Sequence, residues 1–290
     1  MSYRVENAVI MAAGLSSRFA PISYEKPKAL ICVRGEILIE RQIRQLQEAG
    51  IKEIIVVVGY KKEQFQYLEK KLGVKVIENK EYLVKNNSSS IYAAKDYLKN
   101  TYVCSADNYF SENPFEQEVD ESYYSVLYAE GKTNEWCVEE NPEGRITSVT
   151  IGGEDSWYML GHTFWSEDFS KKFLSILEKE YQQPETADKM WENIYIDHID
   201  ELVMKTRKYR QEEIYEFDSL DELREFDETY KTHSGSKIME TIAKKIGCTE
   251  GQIYGIYPAK NSKGAVEGIC FCTPQGQYEY CYDTEELKQK

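Results

Sequence analysis

The alternation of strand-like and helix-like segments in the first 107 residues most constrains how this chain can fold. Glu53–Val58 reads EIIVVV, a continuous run of apolar, mostly β-branched residues that ends at Gly59. Such a run is typical of a parallel strand that is buried on both faces. The neighbouring segments predict strands at Ala8–Met11, Val74–Ile77 and Thr101–Ala106, and helices at Ile37–Ala49, Glu63–Leu72 and Ser89–Leu98, the last capped by serine. Strands and helices in this order predict a parallel sheet with right-handed crossovers.

The pattern changes near Tyr123, where short strand-like pieces follow one another without helices between them. They predict antiparallel strands at Ser125–Ala129, Trp136–Glu139, Ile146–Ile151 and Met159–Trp165, with turns at Asn141–Gly144 and Gly152–Gly153. Further on, the sequence predicts helices at Glu167–Tyr181, Thr186–Ile199 and Leu220–Tyr230, and strands at Leu202–Tyr209 and Ile214–Phe217.

A polar linker, Thr232–Ser236, precedes a segment of different character. There we expect a helix at Lys237–Ile246 and strands at Ile253–Tyr257, Gly264–Thr273 and Gln277–Asp283, with a hairpin turn at Thr273–Gly276. The predicted class is α/β: a Rossmann-like, mostly parallel central sheet with antiparallel additions and a small C-terminal α+β appendage. The predicted domains are residues 1–231 and 236–290.

Composition excludes several classes of protein. A formal net charge of −14 argues against nucleic acid as a partner, because phosphate backbones require a clustered basic surface. No run approaches the roughly 20 apolar residues that cross a bilayer, and no secretory signal pattern follows Met1, so we expect a cytoplasmic protein without membrane insertion. Seven irregularly spaced cysteines predict reduced thiols. A metal site at Cys270 and Cys272 is disfavoured, because none of the three histidines is nearby.

The loop that follows the first strand is the first motif with chemical content. It reads Met11-Ala-Ala-Gly-Leu-Ser-Ser-Arg18, and its small residues allow backbone N–H groups to approach phosphate oxygens. Arg18 adds a cation with fork geometry. Taken alone, the loop is more simply explained as a tight strand-to-helix turn that carries a surface arginine.

The second motif is Lys26-Pro27-Lys28. The proline stiffens the backbone between the two lysines and can aim Lys28 at an α-phosphate, where negative charge develops during transfer. Alone, this segment is more simply explained as a solvated basic patch.

Together the two motifs resemble the A-A-G-x-G-[ST]-R and P-K signature of the sugar-phosphate nucleotidyltransferase superfamily, with Ser16 in place of the second glycine. The stretches NNSSSIYAAK, CSADNYF, TNEWCV and YEFDSLDEL more narrowly resemble the bacterial CTP:phosphocholine cytidylyltransferases, from about Val5 to about Tyr230. The resemblance implies that Asp107 and Asp218 hold Mg²⁺; without it, each aspartate could be a turn or helix cap. It implies catalytic roles for Arg18 and Lys28, and nucleotide contacts for Ala12, Ala13, Gly14, Ser16, Ser17, Lys26, Asn87, Ser88 and Ala106.

A quaternary ammonium has no N–H to donate, so it is recognised by aromatic faces and carboxylates. Trp136, in the TNEW motif, and Glu216 are therefore the first candidates for an amine site. Weaker candidates are Tyr128, Glu130, Trp191 and Tyr215, because many of the 23 tyrosines of such a chain are core residues.

The implied reaction joins CTP to phosphocholine, giving CDP-choline and pyrophosphate with Mg²⁺ as cofactor. A cytidylyltransferase for 2-aminoethylphosphonate or phosphoethanolamine stays open, as does a catalytically silent nucleotide-binding regulatory protein. A sugar-1-phosphate substrate is disfavoured, because sugar hydroxyls call for more polar recognition residues. Residues 236–290 weakly resemble the start of a choline-kinase-like domain, and the sequence leaves a homodimer open.

Overall fold

A computed structural model of the chain describes residues 2–262 and 264–290; Met1, where the predicted first domain begins, lies outside them. In chain order the strands of this part are β1 Tyr3–Arg4, β2 Asn7–Ala12, β3 Cys32–Val33, β4 Glu36–Ile37, β5 Glu53–Val58, β6 Lys75–Glu78, β7 Thr101–Ser105, β8 Asn108–Phe110, β9 Glu118–Val119, β10 Tyr123–Glu140, β11 Ile146–Trp165, β12 Lys205–Lys208, β13 Ile214–Glu216, β14 Tyr254–Lys260, β15 Val266–Thr273, β16 Gly276–Cys281 and β17 Leu287–Gln289. The α-helices are α1 Ile22–Glu25, α2 Leu38–Glu48, α3 Tyr67–Leu72, α4 Ser88–Ala93, α5 Glu167–Glu180, α6 Trp191–Asp197, α7 Leu220–Phe226, α8 Thr229–Thr232 and α9 Lys237–Ile246.

Contacts divide the chain into two compact units, each described by itself. The first unit comprises residues 2–14 and Leu38–Glu216, and the second comprises Leu15–Ile37 with the described part of Phe217–Lys290. The second unit thus joins an early loop to the C-terminal region. The domain boundary at residue 231 stays a prediction.

A mixed sheet, seven-stranded within the described residues, forms the centre of the first unit, in the order β12-β10-β11-β7-β2-β5-β6. Strand β2 is parallel to β5 and β7, and β5 is parallel to β6. Strand β11 is antiparallel to β7 and to β10. The prediction of a mostly parallel sheet with antiparallel additions is therefore confirmed.

Two long strands replace four predicted short ones. Strand β10 spans 18 residues and β11 spans 20, so the predicted breaks within them are wrong. The predicted turn at Gly152–Gly153 lies inside β11, whereas the turn at Asn141–Gly144 is present. A Cβ on Gly153 would lie 2.8 Å from the Cys137 Sγ, so this glycine permits a close approach between strands. The pair bends sharply enough that Cys137 aligns with both Thr150 and Tyr158.

Helix α4 begins one residue earlier than predicted and is not capped by serine. Asn87 occupies the N-cap position, and Ser88 is the first helical residue. The main core of this unit is aromatic, with Trp165, Phe173 and Trp191 buried between the sheet and helices α5 and α6.

The second unit contains a four-stranded antiparallel sheet among its described residues, in the order β14-β15-β16-β17. The predicted hairpin is confirmed, because Thr273 pairs with Gly276 where β15 meets β16. Helix α9 has the predicted bounds. Among the described helices, none has both the length and the apolar character needed to cross a bilayer.

Candidate active site

The carboxyl ends of β2 and β7 bring Met11, the first residue of the first motif, beside Ser105 and Ala106, which directly precede Asp107. These strands are parallel neighbours with Met11 opposite Ser105, and the Ala106 N–H donates to the Met11 carbonyl at 3.1 Å. Ala12 and Ala13 are buried, and a Cβ built on Gly14 would meet no atom within 4 Å. Crevices at the carboxyl ends of parallel strands are the usual ligand sites of open α/β sheets.

The predicted base-binding pair lies at the start of α4. The Asn87 side chain accepts a hydrogen bond from the Trp191 N–H at 2.8 Å and donates to Glu192 Oε2 at 3.0 Å. Ser88 is fully buried. Asn87 thus connects α4 to α6, and the burial of Ser88 lends no support to its predicted contact with nucleotide.

Three carboxylates surround the hydroxyl of Tyr124. Burial, together with the charges of Glu192, Glu216 and Asp107, holds the pKa of Tyr124 well above its ordinary value. The Tyr124 hydroxyl donates to Glu192 Oε1 at 3.4 Å. Burial raises the pKa of Glu192 from 4.5 to about 7. The cluster is therefore an anionic environment suited to a cation.

Strands β8 and β13 fix Glu216 next to this cluster. They pair antiparallel with Glu216 opposite Asn108, and the Asn108 amide donates to Glu216 Oε2 at 3.2 Å. Tyr215 lies opposite Tyr109, with ring centroids 6.4 Å apart. This pairing holds Glu216 opposite the residue that directly follows Asp107 in the chain.

The bend of β10 and β11 brings the TNEW motif to the same region. Tyr158 aligns with Cys137, the residue after Trp136, and Trp136 is half-buried against the aromatic core. Burial and the charges of Glu135 and Glu216 raise the pKa of Tyr158. Tyr158, Glu135 and Glu216 therefore lie near one another, and a phenol with two carboxylates is an environment suited to a cation. Trp136, adjacent to Glu135 in the chain, packs on the aromatic core.

The weaker amine candidates lie on three elements: Tyr128 and Glu130 on β10, Trp191 on α6 and Tyr215 on β13. The Tyr128 ring packs edge-on against Trp157 at 5.2 Å, and Glu130 is exposed. Trp191 is 1% exposed and stacks on the Tyr124 ring at 5.7 Å. A core position lends no support to a contact between Trp191 and an amine, although its ring orients Tyr124.

In the second unit, Ser16, which replaces the second glycine of the motif, has a backbone conformation typical of glycine. Ser16 adopts φ 47° and ψ 45°, the left-handed conformation that glycine occupies without strain. The next residues form a short 3₁₀ turn, Ser17–Phe19, which contains Arg18.

Arg18 and Asp218 form an ion pair within this unit. The Arg18 Nη1 lies 2.6 Å from Asp218 Oδ2, with the two side chains 74% and 38% exposed. Ser219, not Asp218, is the N-cap of α7, and it accepts a hydrogen bond from the Glu222 N–H. The alternative role of Asp218 as that cap is thus excluded. Exposed pairs of this kind contribute at most about 1 kcal/mol, so each partner can exchange for a ligand.

The lysines on either side of Pro27 lie in different environments. Lys26 is exposed, whereas Lys28 is 5% exposed and its Nζ lies 5.8 Å from the centre of the Phe19 ring. The extended backbone at Pro27, with φ −52° and ψ 139°, separates the two side chains. The different exposure of Lys26 and Lys28 is consistent with the expectation that Pro27 orients Lys28.

Asp107 and Asp218 are hard oxygen donors, which suits Mg²⁺. Proteins commonly hold this ion with one or two carboxylates together with substrate phosphates. Across residues 2–262 and 264–290, no group of three or more His, Cys, Asp or Glu side chains is arranged to hold a metal. The two aspartates belong to different units and are described separately.

Sequence reasoning missed Tyr124, Tyr158, Glu135 and Glu192, which the fold brings to the acidic cluster. Glu135 and Glu192 each adjoin a predicted tryptophan, and this adjacency could have drawn attention to them. Tyr124 and Tyr158 carry no local signal that separates them from the other tyrosines.

Most of the chain is similar to known proteins. The model of the MobA-like NTP transferase domain matches residues 8–129. The choline-phosphate cytidylyltransferase of Streptococcus pneumoniae (strain ATCC BAA-255 / R6) is 37% identical over 78% of this chain and 99% of its own. The chain belongs to the nucleotidyltransferase family of the choline-phosphate cytidylyltransferases. The 2-aminoethylphosphonate cytidylyltransferase of Lancefieldella rimae is 39% identical over 77% of this nucleotidyltransferase and 93% of its own length.

A solved structure also confirms the predicted fold class of the nucleotidyltransferase. The CTP:phosphocholine cytidylyltransferase from Streptococcus pneumoniae superposes with a TM-score of 0.75 at 37% identity, covering 78% of this chain and 99% of that one. About a fifth of the present chain therefore lies outside the similarity.

Proposed function

We propose that this nucleotidyltransferase transfers the cytidylyl group of CTP to phosphocholine, giving CDP-choline and pyrophosphate. The observation that supports the proposal is the proximity of Glu135 and Glu216 to Tyr158, with Trp136 adjacent to Glu135 in the chain. The similar Streptococcus pneumoniae enzyme is named for choline-phosphate as a sequence and for CTP:phosphocholine as a solved structure, which supports the same substrates here.

The proposed chemistry needs little base catalysis. A phosphate monoester has a second pKa near 6, so at neutral pH most of it is already a dianion. One of its oxygens attacks the α-phosphorus of CTP, the bond to the β-phosphate bridge breaks, and pyrophosphate leaves. Positioning and charge stabilisation then account for most of the acceleration.

The proposed roles of the cations follow from their settings. Arg18, exposed and in a surface ion pair with Asp218, exchanges that partner for the β- and γ-phosphates. Lys28 is buried, so its charge acts in a less aqueous environment and stabilises the charge that develops on the α-phosphate. Lys26, exposed beside it, adds a cation for the triphosphate.

We further propose Mg²⁺ as the cofactor, held by Asp107 and Asp218. When bound, it supplies positive charge to the phosphate oxygens. The remaining proposed nucleotide contacts are backbone groups of Ala12, Ala13, Gly14, Ser16, Ser17 and Ala106, with Asn87 and Ser88 as predictions.

The amine subsite distinguishes the candidate substrates. The trimethylammonium group of phosphocholine gains from the Trp136 face and from the carboxylates of Glu135 and Glu216, without requiring hydrogen-bond acceptors. A primary ammonium would gain less from the indole and more from directed acceptors. The similarity to a 2-aminoethylphosphonate enzyme makes that phosphonate the second candidate.

Pyrophosphate release tests the proposal. Each nucleoside triphosphate is paired with phosphocholine, phosphoethanolamine, 2-aminoethylphosphonate and sugar-1-phosphates. We expect the highest kcat/KM for CTP with phosphocholine. A higher value for 2-aminoethylphosphonate would support the second candidate, and no release with any pair would support a silent nucleotide-binding protein.

A tryptophan variant sharpens the choice. Trp136→Leu keeps an apolar side chain and removes the aromatic face, so it should raise the KM for phosphocholine by about tenfold, since a desolvated cation–π contact contributes about 1–2 kcal/mol. Trp157→Leu is the matched control, because Trp157 lies on β11 beside Tyr128. Equal effects of the two substitutions would argue against an aromatic amine site at Trp136.

A further inference from the structure

The C-terminal appendage, residues 236–290, contacts each chain segment of the second unit that carries a proposed nucleotide group. Three sets of contacts are involved: one at the lysine motif, one at the helix after Asp218 and one at the turn that contains Arg18. The contacts involve the part of the chain beyond about Tyr230, where the family resemblance in the sequence ends.

The first set fastens helix α1, which directly precedes Lys26. The Lys237 N–H, at the start of α9, donates to Glu25 Oε1 at 3.0 Å. The Tyr24 and Tyr282 rings stack with centroids 4.0 Å apart and planes 26° apart. Helix α1 is only four residues long. Isolated helices of this length are unstable, so packing must hold it.

The second set fastens helix α7, which begins two residues after Asp218. The buried Arg224 guanidinium donates to the Glu250 carbonyl at 2.7 Å and also to the Ile253 carbonyl. Asp221 Oδ2 accepts from the Gly255 N–H at 2.9 Å. Buried charge-assisted hydrogen bonds of this kind are strong and directional.

The third set concerns the turn that contains Arg18. Strand β14, the first of the C-terminal sheet, contacts the Ser17–Phe19 turn. Arg18 therefore lies in a turn that the appendage contacts, Lys26 directly follows a helix that it contacts, and Asp218 lies two residues before another.

We infer that the C-terminal appendage is a positioning element for the nucleotide subsite, and that Lys237 and Tyr282 are its positioning residues. The inference rests on the proposed function. A segment that is already ordered loses less conformational entropy when it closes on a ligand, so its support strengthens binding without a direct contact. The appendage should thus affect CTP affinity and leave phosphocholine affinity unchanged.

Two full-length variants test separate contacts. Lys237→Pro removes the N–H that Glu25 accepts; proline is well tolerated at the first helical position, and Ser236 before it is already extended, with φ −97° and ψ 122°. Tyr282→Ala removes the ring that stacks on Tyr24, whereas Tyr282→Phe keeps it. Tyr278→Ala is the matched control, because that ring stacks on Phe271 within the same sheet, 5.8 Å away.

The readouts are the dissociation constant for CTP with Mg²⁺ by calorimetry, the KM for each substrate, and Tm. We expect Lys237→Pro and Tyr282→Ala to weaken CTP binding about three- to tenfold, the range that the loss of one aromatic pair supports. The KM for phosphocholine should change by less than about twofold in both variants. A twofold change corresponds to less free energy than one aromatic pair contributes. Tyr282→Phe should restore CTP binding, and Tyr278→Ala should leave it unchanged.

Unchanged CTP affinity in both folded variants would overturn the inference. So would equal loss of affinity for both substrates, or an equal effect of Tyr278→Ala, since either would indicate general destabilisation. CTP binding by the wild-type protein without CDP-choline formation would refute the proposed function alone, because the variants could still be ranked by CTP affinity. Absence of CTP binding by the wild-type protein would refute both.

Discussion

Replacing Glu192 by glutamine should reduce the pH dependence of phosphocholine binding. We predict that ionised Glu192, which bonds to Tyr124 in the acidic cluster, also attracts the ammonium. Burial raises the pKa of Glu192 to about 7, so its anion is a minority species in mildly acidic solution. For a pKa of about 7, the ionised fraction rises from about 0.1 at pH 6 to about 0.9 at pH 8, so the KM for phosphocholine should fall about ninefold. Glutamine keeps the size of the side chain and can still accept from Tyr124, although its NH₂ group replaces the oxygen that accepts from Asn87.

The same substitution should make the folded protein more stable at pH 8, although it weakens phosphocholine binding there. The folded-state pKa of Glu192 lies above its ordinary value of 4.5, so its contribution to stability is fully present below pH 4.5 and is lost as the pH rises through about 7. At pH 8 the buried anion therefore lowers the free energy of unfolding, by at most about 3 kcal/mol at 1.36 kcal/mol per pKa unit. Glu192→Gln should remove this penalty at pH 8 and change little at pH 4.

The assay measures initial rates of pyrophosphate release at saturating CTP between pH 6 and 8.5. Phosphocholine itself loses a proton near pH 6, so the informative quantity is the ratio of the KM of Glu192→Gln to that of the wild-type protein at each pH. This ratio should rise with pH as the wild-type carboxyl ionises. A ratio that stays constant, with no gain in unfolding free energy at pH 8, would refute the assignment of Glu192 as an amine-facing anion.

Other residues give independent predictions. Lys28→Met should lower kcat by at least about 100-fold with the fold intact, as expected for loss of a group that stabilises transition-state charge, whereas Lys26→Met should cost less; near-normal turnover of the Lys28 variant would refute its role. Ser16→Val should lower the free energy of unfolding by about 1–2 kcal/mol, because a branched residue is strained at φ 47°, whereas Ser16→Gly should not; denaturant melts decide. The fully buried His162 has a pKa lowered from 6.5 to about 3, so its contribution to stability is present above pH 6.5 and is lost as the pH falls toward 3. Below pH 6.5 the wild-type protein should lose about 1.4 kcal/mol per pH unit relative to His162→Gln in melts at matched pH, and parallel curves would contradict this.

The sequence predicts the elements that local signals determine. Glu53–Val58 has the predicted bounds, because its β-branched run is buried and Gly59 ends it. Helix α9 likewise begins and ends as predicted, between the Ser236 cap and Gly247. In both cases the residues at the boundary carry the information.

The bent pair of strands β10 and β11 shows where local signals are insufficient. Gly152 and Gly153 resemble a turn in the sequence, yet they lie inside β11. Gly153 is small because the Cys137 side chain approaches it from the paired strand. Only the tertiary pairing distinguishes this requirement from that of a turn.

The candidate site likewise contains some residues that the sequence predicts and others that it does not. Motif spacing anticipates that Asp107 follows β7 and that Arg18 lies in the loop after β2. It does not anticipate that Trp191 is a core residue while its neighbour Glu192 bonds to Tyr124, because helix rotation and packing decide which of two adjacent residues faces inward. Trp136 and Glu216 stay predictions as amine ligands, and their neighbours in the fold define the variants that test them.

The measurement that tests the central proposal most directly is the identity of the nucleotide product. Purified protein is incubated with CTP, phosphocholine and Mg²⁺, and the products are resolved by ³¹P NMR and mass spectrometry. We predict CDP-choline and pyrophosphate in equal amounts, with formation abolished by a chelator and strongly reduced in Lys28→Met. Intact CTP after prolonged incubation, or CMP and pyrophosphate without CDP-choline, would contradict the account.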